Sequence, residues 1–518
     1  MRKLLCLLAT AVALFGAVGA QADVGPPVHV RILGAPRAAE PGVPFTGQLQ
    51  ITTGAPLLLD GLKFSGAGWD QLSLAVGQKA SVEKSRPLVV DFSVVTEDPE
   101  QDLVLSFMVD GYPVTRQFDL SPATIDRLLK PGALVPVKPT GNVPPLTDET
   151  RVSPLPTPFK PTERTDKAGP DKSRSVRVHG RFVYQRTDGV TIGADGMTVY
   201  IYDDNNPFWE GTLGGVYTDA QGWYDATVTW EPGIFDADPD LFVRISTGND
   251  HAQVTNPAWG GNPSEGYESY RWQSATNWNF TGSDYDLGWL QPGDINDHPA
   301  VHLLTNIVHT WRWWQGNGYD TPFIRCNWPN GATGAFYNGE MYVSTGEQWN
   351  EDVISHEYGH HWVANYALSP APFYCNGICD NDGCGHCLWC AETDNISFTE
   401  GFPDWMGDVI PASYAATYGR AARSIYDMEN LSLCMGSYAD PLKTEGFLAA
   451  VVRDIGDATN DNHTAFPETD EMALGWSQVI ATVDLDHPTS AWSFLAAFRN
   501  RYPGYSETLW ATASRCTA

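Results

Sequence analysis

From residue 28 onward the chain is built of short, β-branched, partly alternating runs. "VHVRIL", "FTGQLQITT", "LLLDGLKF", "LVVDFSVV", "LVLSFMV" and "VTRQFDL" are separated by turn residues. A period near two, broken at intervals, predicts half-buried strands. Roughly seven of them over residues 23–130 predict an immunoglobulin-like β-sandwich. Alternation returns over residues 174–257, in "VRVHGRFVY", "MTVYIYDD" and "VYTDAQGWYDATVTW", where "TDAQG" supplies a hairpin turn. Beyond residue 265 the period changes. "HPAVHLLTNIVHTWRWW", "EDVISHEYGHHWVANYAL", "FTEGFPDWMGDVI" and "TEGFLAAVVRDI" carry helical spacing, and "GAFYNGEMYVSTG" alternates like a strand. The pattern predicts a multidomain chain: β-sandwich modules first, then an α+β domain over residues 265–518, mostly helical with a small sheet.

Two segments interrupt this pattern. Residues 1–22 have a basic start (Arg2, Lys3), the apolar run "LLCLLATAVALFGAV" and the small-residue site "AQA". These are the parts of a signal peptide, so the expected product is exported, starts near Asp23 and has no stable membrane insertion. Residues 131–173 hold ten prolines between Pro131 and Pro170. Such a segment builds no core and is expected to be an extended linker and a place of nicking. Cleavage there would remove an N-terminal region on maturation.

Composition narrows the partners. The 518 residues carry a formal net charge of −30, which argues against binding nucleic acid or an anionic membrane through general electrostatics. Abundant carboxylates leave room for Ca2+. The oxygen-rich stretch "DATNDNHTAFPETDE", from Asp457 to Glu471, is the candidate, although its spacing is equally that of plain turns.

The densest chemistry lies in "SHEYGHH". Residues four apart share a helix face, so His356 and His360 can offer two imidazoles to one ion. Glu357, one step round, can reach a water on that ion but is poorly placed as a ligand. His361 lies about 100° around the helix from His360 and is read as a packing residue. A third ligand is needed. A following HxxGxxH continuation is excluded, because Val363 and Tyr366 stand at the Gly and His positions. A later glutamate remains, and "FTEGFPDW" offers Glu400 with Asp404 one turn on.

HEYGH followed by TEGFPDW resembles the gluzincin zinc metallopeptidases, whose thermolysin-like branch pairs HExxH with ExxxD. The resemblance implies that Glu400 is the third zinc ligand and that Asp404 orients the first histidine, His356. It implies a fourth coordination position for water and Glu357 as the general base in peptide-bond hydrolysis. It also implies that an edge strand, here "GAFYNGEMYV" with Ala335 and Tyr337, binds a protein or peptide substrate as an added strand. Related aminopeptidases carry GAMEN there. Tyr337 replaces their glutamate, which favours an endopeptidase. The family draws an oxyanion donor from beyond the third ligand; His463, Tyr426 and Tyr438 are the candidates. Separately, "GMTVYIY", "TDAQGWY" and "DLFVRIS" resemble a transthyretin-like, carboxypeptidase-regulatory module at 174–257.

Cysteines complicate the rim of this site. An insert at 375–390 holds Cys375, Cys379, Cys384, Cys387 and Cys390. With Cys326, Cys434 and Cys516 that makes eight outside the leader, so full pairing is possible. Disulfides are the preferred expectation for an exported protein, and a second zinc at the C-x2-C pairs is the alternative. The function expected is a secreted zinc metalloendopeptidase. The competing class is a surface adhesion protein with a degenerate peptidase fold. Oligomeric state, cleavage specificity and natural substrate are not legible.

Overall fold

The computed structural model describes residues 28–138, 173–367, 393–415, 441–456 and 472–505, apart from short stretches at 35, 54–55, 76–78, 83–86, 110–111, 206–208, 232–237, 257–268 and 331–333. All statements below concern these residues.

The N-terminal part is a pair of four-stranded antiparallel sheets. Its strands are β1 (Val28–Leu33), β2 (Phe45–Thr53), β3 (Leu57–Ser65), β4 (Trp69–Leu74), β5 (Lys79–Val82), β6 (Leu88–Thr96), β7 (Leu103–Val109) and β8 (Tyr112–Phe118). They run in the orders β1–β2–β6–β4 and β5–β3–β7–β8. Alternation does the work: every second residue of β7 (Leu103, Leu105, Phe107, Val109) is buried, as are Val90, Phe92 and Val94 of β6. Together they form a core of their own. Helix α1 (Pro122–Leu129) closes the module, with Ser121 accepting from the Thr124 amide and Pro122 inside the first turn.

Strand β9 (Gly132–Pro136) leaves this module and enters another sheet. There it meets β10 (Arg174–Gln185), β11 (Thr191–Gly193), β12 (Thr198–Asn205), β13 (Trp209–Tyr217), β14 (Trp223–Trp230) and β15 (Leu241–Ser246). Strand β16 (Ala252–Thr255) belongs to a different sheet, whereas β17 (Arg271–Gln273) and β18 (Asp284–Pro292) complete the large one. The nine strands run β11–β10–β18–β9–β17–β15–β12–β13, with β14 on β10. Two pairings, β10 with β18 and β9 with β17, are parallel.

Helix α2 (His298–Gly316) follows, then β19 (Ile324–Asn330), β20 (Ala335–Tyr337) and β21 (Met341–Ser344), which with β16 make a sheet ordered β16–β19–β21–β20. Helices α3 (Glu351–Trp362), α4 (Asp394–Ala415), α5 (Glu445–Gly456), α6 (Trp476–Asp486) and α7 (Ala491–Arg501) complete the described chain. No helix among these residues is long and apolar enough to cross a membrane.

This architecture corrects the fold class expected from the sequence. Strand outweighs helix among the described residues, 40% against 32%, so the molecule is sheet-rich and not a set of modules feeding a mostly helical zincin-type domain. The large sheet takes β9 from the expected linker at 131–173 and β17 and β18 from the expected catalytic segment at 265–518. One continuous hydrophobic core runs from Leu134 to Phe498 and joins the sheet to the helices. The physical reason is non-local pairing. "DYDLGWLQP" and "GALVP" carry acids, glycines and prolines that read as loop, and only their neighbours in space make them strands.

A buried ion pair fastens the two layers. Asp195, between β11 and β12, is fully buried and receives both Nε and Nη2 of Arg312 from α2, each at 2.7 Å. Burial pushes the Asp195 carboxyl up, while Arg312 and the Gly196 amide pull it down. Removing one partner of such a pair strands a buried charge, at about 3–5 kcal/mol. Arg312→Met is therefore expected to lower the unfolding temperature strongly, and Asp195→Asn added to it should recover part of the loss. Thermal unfolding followed by circular dichroism checks this; a double variant no more stable than Arg312→Met would contradict the buried-charge account.

Candidate metal centre

Helix α3 begins with Glu351 and Asp352, acids that suit the positive end of a helix dipole, and Arg186 binds Glu351 Oε1 at 3.0 Å. Every residue from Glu351 to Trp362 is buried. This helix has no solvent face, so packing rather than an apolar stripe holds it in place. Trp362 stacks on Trp314 of α2 at 4.2 Å between ring centroids and meets Phe402 of α4 at 5.7 Å. After Trp362 the chain widens into a π-helical turn, Val363–Ala367.

Two glycines let α4 come close. A Cβ on Gly359 would lie 2.9 Å from Pro403 Cα, and one on Gly407 would lie 2.8 Å from the Asp352 carbonyl oxygen. This approach carries Glu400 onto the histidine face. His360 Nε2 and Glu400 Oε2 are 3.1 Å apart, His356 Nε2 and Glu400 Oε2 are 3.3 Å apart, and the two Nε2 atoms are separated by 3.1 Å. His356 Nδ1 donates to Asp404 Oδ1 at 2.8 Å, since a carboxylate can only accept. That bond fixes the tautomer and turns Nε2 toward the other two groups.

The donors fit a metal ion. Ligand atoms around a tetrahedral ion with bonds of about 2.0–2.2 Å stand roughly 3.3–3.6 Å apart, close to the spacing here. All three residues are buried, and among the described residues they form a group whose ligand atoms lie within 4.8 Å of one another. The electrostatics agree. Burial alone would depress the His356 pKa, yet Asp404, Glu400 and Glu357 raise it to about 10. A pocket in which carboxylates outweigh the desolvation of a cation is one that stabilises positive charge. His356, His360 and Glu400 can therefore hold a metal ion.

Glu357 stands one residue from His356 and is fully buried. On β19, Cys326 is near enough for the Glu357 carboxylate to add to the upward push that burial gives its thiol. Cys326 is buried without a disulfide. It is the one cysteine among the described residues.

His361 points away from the metal ligands. Its Nε2 donates to the Pro322 carbonyl at 2.9 Å, and Nδ1 lies 3.2 Å from the Tyr337 hydroxyl. Burial lowers its pKa to about 4, so the ring is neutral and Nδ1 accepts from Tyr337. The Tyr337 ring lies nearly parallel to His360, at 6.4 Å. Ala335 and Tyr337 are on β20, which pairs with β21 and ends the sheet order. Sequence reasoning missed the Tyr337–His361 bond and the glycine contacts. Gly359 between two histidines was the available signal for the latter.

Several expected residues lie outside the described ones: Cys375, Cys379, Cys384, Cys387, Cys390, Cys434 and Cys516, the candidate oxyanion donors His463, Tyr426 and Tyr438, and the candidate Ca2+ stretch Asp457–Glu471.

No protein family matches the chain, and no curated protein matches it. Among solved structures, that of a 9R-lipoxygenase from Cyanothece PCC8801 is similar over 30% of this chain and 25% of that chain, at 15% identity and a TM-score of 0.17. A likeness this weak supports neither a fold nor a function.

The geometry gives a graded expectation. Asp404→Ala should weaken metal affinity by about 10–100-fold while one ion still binds. Glu400→Ala, which deletes a ligand, should weaken it further. Competition against a chromophoric chelator measures both, and equal affinities for wild type and Asp404→Ala would remove Asp404 from the site.

Proposed function

We propose that this chain is an exported zinc metallopeptidase, acting as an endopeptidase on protein or peptide substrates. One observation carries the reading: Glu357 sits on the same helical turn as His356 and His360, beside a glutamate brought back from α4. The set, HExxH with ExxxD, resembles that of the gluzincins. Two imidazoles and a carboxylate in a tetrahedral spacing suit zinc, and three protein ligands leave a further position for water or substrate.

Zinc, when bound, supplies a Lewis acid for the substrate carbonyl and lowers the pKa of a water. The chain's own residues do the rest. Glu357, with its carboxylate shielded from solvent, takes a proton from water and passes it to the leaving amine. Asp404 keeps His356 in the tautomer that presents Nε2. Strand β20, adjacent to α3 and paired in its sheet only with β21, offers an edge to which an extended peptide can add. Tyr337 is spoken for by His361 and places no carboxylate where an aminopeptidase would grip a free amine, which supports internal cleavage.

The competing reading, a binding protein on a degenerate peptidase core, has no observation in its favour and leaves the buried Glu357 without a role. The two separate in one assay. Casein degradation should require metal, stop with chelator and resume on adding zinc. Glu357→Gln should cut the rate by about 10²–10⁴-fold with zinc stoichiometry unchanged. Zinc-loaded wild type no more active than Glu357→Gln on any protein substrate would decide for the binding protein.

A further inference from the structure

The contacts that fasten the N-terminal sandwich to the rest of the molecule include three places, all outside residues 139–172. The first is β9. It lies inside the large sheet, antiparallel to β18 through Leu134↔Pro292, Val135↔Gln291 and Pro136↔Leu290, and parallel to β17 through Gly132↔Trp272 and Ala133↔Gln273. The Val137 amide donates to the Trp289 carbonyl at 2.9 Å, and the Gly293 amide to the Ala133 carbonyl at 2.8 Å. Leu134 belongs to the large core rather than to the sandwich's own. Gly132 lies so close to Trp272 that a Cβ would come within 2.6 Å of the indole.

The second place is Glu340, in the turn between β20 and β21. Its carboxylate accepts from Arg31 of the sandwich at 2.5 Å, from Arg325 at 3.0 Å and from Asn327 at 2.9 Å. The third is Arg116 on β8, whose guanidinium lies over the rings of Phe336, at 5.6 Å, and Tyr342, at 5.2 Å. Those two residues are cross-strand partners and stack at 4.7 Å. Successive residues of a strand face opposite ways. Phe336 therefore meets the sandwich, while Tyr337 meets α3 through His361.

We infer that the sandwich is a permanent part of the molecule, and that chain cleavage within residues 139–172 produces two fragments that stay bound. On this inference, such cleavage does not remove the N-terminal region. A cut anywhere in 139–172 leaves β9 on the N-terminal fragment and β10 on the other. Loss of the fragment would then empty a slot in the middle of the nine-stranded sheet, leaving β17 and β18 with unmade ladder bonds facing each other. It would also uncover the Phe336–Tyr342 pair beneath Arg116. The surface that holds the fragment is thus the β17–β18 slot together with the outer face of β20 and β21, and its partner is residues 28–138 of the same chain. This inference concerns assembly and does not rest on the peptidase reading.

The test uses the full chain with a recognition sequence for a site-specific protease inserted between Asn142 and Val143. After complete cutting, both fragments should co-elute at the uncut position on size exclusion, in low and in high salt, and part only in denaturant. An N-terminal fragment that elutes by itself from cut, otherwise wild-type protein overturns the inference. Val135→Pro with Arg31→Glu, in the same background, should fold before cutting, as judged by circular dichroism, and shift the N-terminal fragment to a separate, later peak afterwards. Continued co-elution of that variant overturns the assigned surface. Should the variant fail to fold uncut, the wild-type arm alone decides.

Discussion

The centre of this molecule depends on how closely two helices can approach. A side chain at position 359 or 407 would hold α3 and α4 apart, and Glu400 would not reach the imidazoles of His356 and His360. Glycine at both positions, against Pro403 and the Asp352 carbonyl, removes that barrier. Glycine inside a helix lowers its intrinsic stability by roughly 1 kcal/mol relative to alanine. The compensation is tertiary. Trp314, Trp362, Phe402 and Trp405 pack across α2, α3 and α4, each 0% exposed, and aromatic surface of this size outweighs the helical penalty. The polar site exists because an apolar cluster surrounds it.

That enclosure sets the electrostatics. Glu357, Glu400 and Asp404 are withdrawn from water, where carboxylates are expensive to keep ionised. His356 answers part of this charge, which is why its pKa rises to about 10 against the pull of burial. His361, four residues before Asn365 and on another face, shows the opposite response: without a carboxylate beside it, burial drives it to about 4. Two buried histidines five positions apart on one helix thus differ in charge preference because only one faces the acids of α4. The same asymmetry separates a ligand from a packing residue more firmly than helix geometry does by itself.

Legibility in the sequence followed the range of the interactions. HExxH could be read because its pieces lie within one helical turn, and the spacing of Glu400 and Asp404 within the next helix was equally local. The strands of the N-terminal module were legible from alternation, since each buries one face. What escaped was decided by neighbours distant in the chain. β18 holds Asp284, Asp286 and Gly288, and β9 is flanked by prolines, so neither has a pattern of its own; each is a strand because β10, β17 and each other supply partners. The fold class went wrong for this reason.

The shortest strand shows what such distant partners accomplish. β20 has three residues and pairs only with β21, so its ladder alone cannot fix its position. It is held from both faces instead. Tyr337 is anchored to His361, one residue beyond the candidate ligand His360, and Phe336 is covered by Arg116 from β8. Glu340, just past β20, is gripped by arginines from two sheets, one of them in the sandwich. The edge beside α3 therefore takes its position from residues as far apart in the chain as Arg31 and His361. Through Arg31 and Arg116 the N-terminal module is thus part of the support for the strand beside the helix of His356 and His360.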